Sequence, residues 1–216
     1  MTLPFGRLFP PSNNIITFDF FDIISGTGIK KLYAGDVNSS SAGTPGTYIL
    51  QASQSYSDVG STDGGNNGTL DIDFDILINR PITIEGEGII NVPALLFNTG
   101  ANATLSPTIT ARVRKWDGST ETTLVSGTTI ITSLVSQDDV VYEMGAIKVN
   151  IPKTLFKKGE TLRLTIESAS PGANHSIVIA HDGLSRIGVP SDSITLTGTW
   201  EESTALTMQL PIAIDI

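Results

Sequence analysis

Leu206, Met208, Leu210, Ile212, Ile214 and Ile216 occupy every even position at the end of this chain, with Ala205, Thr207, Gln209, Pro211, Ala213 and Asp215 between them. A period of two held over that length marks a half-buried β-strand, because successive side chains of a strand point to opposite faces of its sheet. The same period recurs over 69–79, where Leu70, Ile72, Phe74, Ile76 and Ile78 form one face and Asp71, Asp73 and Asp75 lie on the other. Strands this regular must cover an apolar face with a second layer, which restricts the chain to layered β architecture.

Further strands are expected at 15–24, 29–34, 48–53, 82–92, 108–116, 121–131, 140–151, 162–166, 176–180 and 194–200, and no amphipathic helix pattern stands out. Residues 176–180 are almost continuously apolar, as in a strand covered on both faces. Asp117-Gly118 between two such runs signals a tight hairpin, and Lys157-Lys158-Gly159-Glu160 signals another turn. Residues 35–47 and 57–69 are rich in Gly, Ser, Asn and Asp and read as surface loops. The expected fold is all-β: an antiparallel, jelly-roll-like β-sandwich formed by 15–216 as one domain. An extended arm over 1–14 precedes it, because Pro4, Pro10 and Pro11 oppose helix and central strand alike. Pro211 predicts that the last strand lies at a sheet edge or is bulged, since proline cannot donate to a ladder.

Composition narrows the function classes. The charged fraction is 16%, against about 25% in average globular proteins. The net charge of −9 argues against partners such as nucleic acid or an anionic membrane, which require Lys and Arg to dominate. With no cysteine the chain has no thiolate nucleophile, disulfide or Cys-type zinc site. The start, Met1 to Arg7, lacks an apolar run of signal-peptide length, so synthesis in the cytosol is expected. Asn38, Asn67, Asn102 and Asn174 head glycosylation patterns, read here as chance in a Ser/Thr/Asn-rich chain.

Reactive constellations are sparse. Asp71, Asp73 and Asp75 share a strand face and are calcium candidates, but neighbours two apart are about 6–7 Å from each other. The plainer expectation is a solvated face whose charge discourages edge pairing. His181-Asp182 with Ser185 suggests a hydrolase triad, yet adjacent strand residues point apart and no Gly-x-Ser-x-Gly elbow exists. A turn histidine at a strand end is the expected role. Asp138-Asp139 and Glu201-Glu202 read as solvated turns, and Glu85 and Glu87 as strand-surface residues. No catalytic residue and no cofactor is expected. Arg112, Arg114 and Lys115 form the one basic stretch, with cross-strand pairing to Glu121 as the expected role. Tyr33, Tyr48, Tyr56, Tyr142, Trp116 and Trp200 are scattered and are assigned mostly to packing.

Four phrases taken together carry a resemblance: Tyr33-Ala-Gly-Asp36, Arg114-Lys-Trp-Asp-Gly-Ser-Thr-Glu121, the run from Phe156 to Glu167, and Ala180-His-Asp182. They resemble small all-β structural proteins of the virions of tailed phages and related viruses. The resemblance implies a non-enzymatic capsid decoration, minor capsid or head–tail protein, made in the host cytoplasm and located in the virion. Such proteins work through surfaces, so no functional residue is carried over. The expected partners are copies of this chain, as a trimer, and other virion proteins. Leu3, Phe5, Leu8 and Phe9 on the arm, together with Pro211 on the last strand, are the interface candidates. The alternative is a carbohydrate-binding, lectin-like module on a receptor-binding appendage, with loops 35–47 and 57–69 and Tyr48, Tyr56 or a Trp holding the sugar.

Overall fold

The structure, a computed structural model, describes residues 16–17, 27–36, 48–52, 61–63, 69–169, 174–181, 190–191, 194–195 and 206–213. Every regular element among them is a strand. In chain order these are β1 (Ile16–Thr17), β2 (Thr27–Asp36), β3 (Tyr48–Gln51), β4 (Ser61–Asp63), β5 (Thr69–Leu77), β6 (Ile82–Asn98), β7 (Ala103–Leu105) and β8 (Thr108–Trp116). The second half holds β9 (Glu121–Ile130), β10 (Ser133–Val135), β11 (Asp139–Phe156), β12 (Thr161–Ala169), β13 (His175–Ala180), β14 (Pro190–Ser191), β15 (Ile194–Thr195) and β16 (Thr207–Ala213).

The main sheet runs β4-β13-β6-β16-β2-β3-β5-β12-β8-β9, with β11 along the other edge of β6 and β1 beside β2. Its ladders are antiparallel apart from one parallel contact, Ile49 with Asp75, where β3 hands over to β5. At the far end β9 lies against β11 without a ladder. A Cβ on Gly127 would stand 2.6 Å from Ile147 Cγ2 and 3.1 Å from the Lys148 carbonyl, and one on Gly145 would stand 2.9 Å from Thr129 Cγ2. Two glycines thus let the two ends of the sheet close on each other. The result is an all-β, antiparallel, jelly-roll-like sandwich, nearly closed, around one apolar core that includes Phe74, Ile90, Ile109, Ile147, Leu164 and Met208.

The two strands with the clearest period behave as expected. On β5, Leu70, Ile72 and Phe74 are buried, and on the last strand Leu206, Met208, Leu210 and Ile212 are buried. β13 is buried from Ser176 to Ala180, as its continuous apolar run predicts. Both turn signals hold. Asp117 accepts hydrogen bonds from the Ser119 and Thr120 amides, with Gly118 at φ 100°. Glu160 accepts one from the Lys157 amide at 2.6 Å, with Gly159 at φ 91°.

Of the two settings expected for Pro211, a sheet edge or a bulge, the structure has the bulge. β16 is not an edge strand: it lies between β2 and β6. Its ladder to β6 is interrupted between Gln209 and Ile212, so the missing donor falls in a bulge. Facing it is Gly86, at φ 115°, where a Cβ would be 3.5 Å from the Pro211 ring. An interior strand offers no free edge to a partner, so Pro211 is not an interface residue of that kind. The strand expected over 82–92 continues through Pro93 to Asn98. Pro93 lies after the β16 ladder ends at Asn91 and before the β13 ladder begins at Ala94, where no ladder on that side needs its N–H. β11 likewise runs past Ile151 through Pro152, where its register with β6 shifts. The loop read over 57–69 contains β4, paired to β13. The arm over 1–14 lies outside the described residues, and so do Leu3, Phe5, Leu8 and Phe9.

Candidate functional site

The outward face of β5, β12, β8 and β9 carries a lattice of paired charges. Arg163 on β12 holds both carboxylate oxygens of Asp75, at 2.7 and 2.8 Å, and reaches Asp73 at 3.0 Å and Glu121 at 2.9 Å. Arg112 holds both oxygens of Glu167 at 2.8 Å. Arg114 lies among Glu121 at 3.1 Å, Glu167 at 3.4 Å and Asp73 at 4.0 Å. Thr165, in the middle, donates its hydroxyl to Asp73 and is fully covered by these side chains. Strand register causes this arrangement. Arg163 is opposite Asp75 on one side and Arg114 on the other, while Thr165 is opposite Asp73 and Arg112. The Glu167 carboxyl is held below its ordinary range, mainly by the hydrogen bonds from Arg112. The guanidinium of Arg163 is held further above its ordinary range by Asp75.

Asp71, Asp73 and Asp75 therefore do share a face, but guanidinium groups occupy the space around Asp73 and Asp75. Among the described residues no group of three or more acidic or histidine side chains converges as a metal-ligand set. The solvated strand face expected there is instead a neutralised one. Arg112 also differs from expectation: its partner is Glu167 on β12, while Arg114 is the residue that meets Glu121. Lys115 binds Glu160 at 2.7 Å and the Leu155 carbonyl at 2.7 Å, which fastens the 157–160 turn to β8. That hydrogen bond, together with the one from the Lys157 amide, holds the Glu160 carboxyl below its ordinary range.

His181 follows β13 and is fully buried. Its ring packs edge-on to Tyr48, centroids 5.5 Å apart, and beside Phe74 at 5.6 Å. The strand-end position was expected but the burial was not, and the aromatic box makes His181 part of the core. Tyr48 also packs edge-on against Phe74, at 5.4 Å. Asp182, Ser185, Tyr56, Trp200, Glu201 and Glu202 lie outside the described residues. Asp138, in the turn before β11, and Asp139, which opens β11 opposite Asn98, are both exposed. Glu85 and Glu87 pair with Lys153 and Lys148 on the exposed face.

One surface feature had no place in the sequence reading. Ile130 is 65% exposed, Leu134 69%, Tyr142 48% and Met144 50%. The approach of β9 to β11, with Gly127 beside Ile147 and Gly145 beside Thr129, places Ile130 across from Met144 on the outside of the sandwich. Leu134 belongs to β10, in the connection between those two strands. The signal was present in the sequence. If Ile147, Val149 and Ile151 point inward, then Tyr142 and Met144 point outward on the same strand.

No protein-family model matches the chain, and no curated protein matches it. Among solved structures, a CocE/NonD family hydrolase from Staphylococcus aureus is similar over 87% of this chain and 37% of its own, with a TM-score of 0.54 at 12% identity. An aminopeptidase from the marine sediment archaeon Thaumarchaeota archaeon is similar over 66% of this chain and 26% of its own, with a TM-score of 0.44 at 8% identity. The chain spans well under half the length of either protein. The likeness to the hydrolase concerns the fold alone.

Proposed function

We propose that this chain is a non-enzymatic structural protein of a virion, a capsid decoration, minor capsid or head–tail component, acting through protein–protein contacts. The observation that carries the reading is the group of outward apolar side chains Ile130, Leu134, Tyr142 and Met144. Large apolar groups clustered on a surface cost solvation and gain from being covered by a partner. The broad charged face supports the same reading, because its arginines are engaged with carboxylates of the same chain rather than aimed at a ligand.

Co-expression with the genes encoded beside it, followed by mass spectrometry of purified particles, tests the proposal. The chain is expected at a fixed copy number per particle. Met144→Lys is expected to reduce incorporation while leaving the melting temperature unchanged. Particles that form normally and never contain the chain would overturn the reading.

A further inference from the structure

We propose that the two ends of the sandwich are complementary docking surfaces through which copies of this chain associate head to tail. This inference rests on the assembly reading above and identifies the surfaces and the partner. β11 joins the two ends. Its 18 residues run from Asp139 to Phe156, about 60 Å of strand at roughly 3.3 Å per residue.

At its first end lie Asp138 and Asp139, both exposed and neither with an ion-pair partner among the described residues. They precede the exposed Tyr142 and Met144 of β11 by a few residues and follow the exposed Ile130 and Leu134 in the chain. At the other end the sign reverses. Lys157 and Lys158 are exposed in the turn after β11, and neither side chain has an ion-pair partner among the described residues. Lys153 reaches only Glu85, at 3.7 Å, and both side chains are more than half exposed. The neighbouring 78–81 turn is tied on by hydrogen bonds from the Ile78 amide to the Glu160 carbonyl and from the Gly159 amide to the Ile78 carbonyl. Leu77 is 56% exposed and Leu155 51% exposed there. Asp117, in the adjacent hairpin, is the opposing charge at this end; Glu160 is already neutralised by Lys115.

One end therefore combines acids with apolar groups, and the other combines bases with apolar groups. They sit at opposite ends of one long strand, so they cannot meet within a single molecule. A second copy presents the matching end in both respects. A basic end on a chain of net charge −9 is where an acidic partner is steered. Such contacts are heterologous: they close into a ring if the rotation between copies allows it and otherwise build an open stack.

Sedimentation velocity of the full chain at about 0.1 M and about 1 M salt tests this, since screening shortens from about 10 Å to about 3 Å between them. Concentration-dependent association is expected at low salt and should weaken at high salt. The reversal K157E/K158E at one end, and separately D138K/D139K at the other, should each weaken association at least tenfold; the first should leave the melting temperature unchanged and the second should lower it slightly, because Asp138 sits at φ 57°. An equimolar mixture of the two variants should restore it, because each then carries the charge the other needs. Leu155→Ser and Met144→Lys give the same test without charge reversal at the turns. A chain that stays monomeric, reversals that associate like the parent, or a mixture that stays apart would overturn the inference. A monomer that still enters particles would remove this inference alone; association without any presence in particles would remove the virion reading and leave the docking ends standing.

Discussion

Among the described glycines the tightest setting is Gly127, where β9 meets β11, and Gly127→Ala probes it directly. A methyl group at Gly127 would sit 2.6 Å from Ile147 Cγ2, 3.0 Å from Val149 Cγ1 and 3.1 Å from the Lys148 carbonyl. Ordinary carbon contacts lie near 3.5–4.0 Å, so the shortfall is about 1 Å against the buried Ile147 branch and a few tenths of an ångström against the backbone oxygen. Neither is the free end of a flexible chain, so β9 must move outward. Overpacking of this kind costs about 1–3 kcal/mol. Replacing glycine also removes unfolded-chain entropy worth about 0.4–1 kcal/mol in the opposite direction. The net expectation is a loss of about 1–2 kcal/mol, or a fall in melting temperature of roughly 2–8 °C for a domain this long. Calorimetry of the variant beside Gly145→Ala separates the causes. At Gly145 the three nearest atoms are all side-chain atoms, Thr129 Cγ2 at 2.9 Å and two of Ile131 at 3.4 and 3.6 Å, with no backbone oxygen among them. Gly127→Ala must therefore be the more damaging of the two. Equal stability, or a gain at Gly127, would refute the picture of a sheet closed by glycine contact.

Three further outcomes follow from named contacts. Asn98 is fully buried, donates to the Ala101 and Val135 carbonyls and accepts from the Gly100 amide; Asn98→Ala strands all three partners and should cost about 2–4 kcal/mol in urea unfolding, with Asn98→Asp no rescue because it loses both donors. Arg163→Met removes the partner of four carboxylate oxygens and should cost about 1–2 kcal/mol, a deficit that shrinks between 0.1 and 1 M salt when the groups are this exposed; a deficit unchanged by salt would mean that packing, not charge, was lost. The Glu160 and Glu167 carboxyls are held below their ordinary range in the folded state, so the stability they add is present above about pH 4.5 and is lost as pH falls through their folded values; urea midpoints measured from pH 7 to pH 3 should fall below that point, and Lys115→Met should reduce the part due to Glu160.

Much of the fold is legible in the sequence, for a physical reason that also marks where legibility stops. A strand buried on one face announces itself by alternation, as at Leu70 to Phe74 and Leu206 to Ile212. A tight turn announces itself by the residues its backbone angles demand, as at Asp117-Gly118. The three-residue strands β7 and β10 are too short to show any period. Pro93 and Pro152 look like stops because sequence cannot reveal that the neighbouring ladders break beside them. Pro211 shows the same limit. The missing N–H was readable, but whether the strand met it with an edge or a bulge depended on Gly86, far away in the chain.

The charges illustrate why surfaces are harder to read than cores. Asp71, Asp73 and Asp75 look like an exposed acidic stripe along one strand, yet the adjoining strand brings Arg163 against two of them. Asp138 and Asp139 are acidic too, but they lie away from the arginines and have no ion-pair partner among the described residues. Burial is decided locally, by the period of a strand, whereas the net charge of a surface is decided by register between strands distant in sequence. The regions where opposite charge failed to find a partner inside the molecule are therefore where a partner outside it gains most. Here they coincide with the exposed apolar side chains at both ends of β11, and not with the broad face where the sequence placed its aspartates.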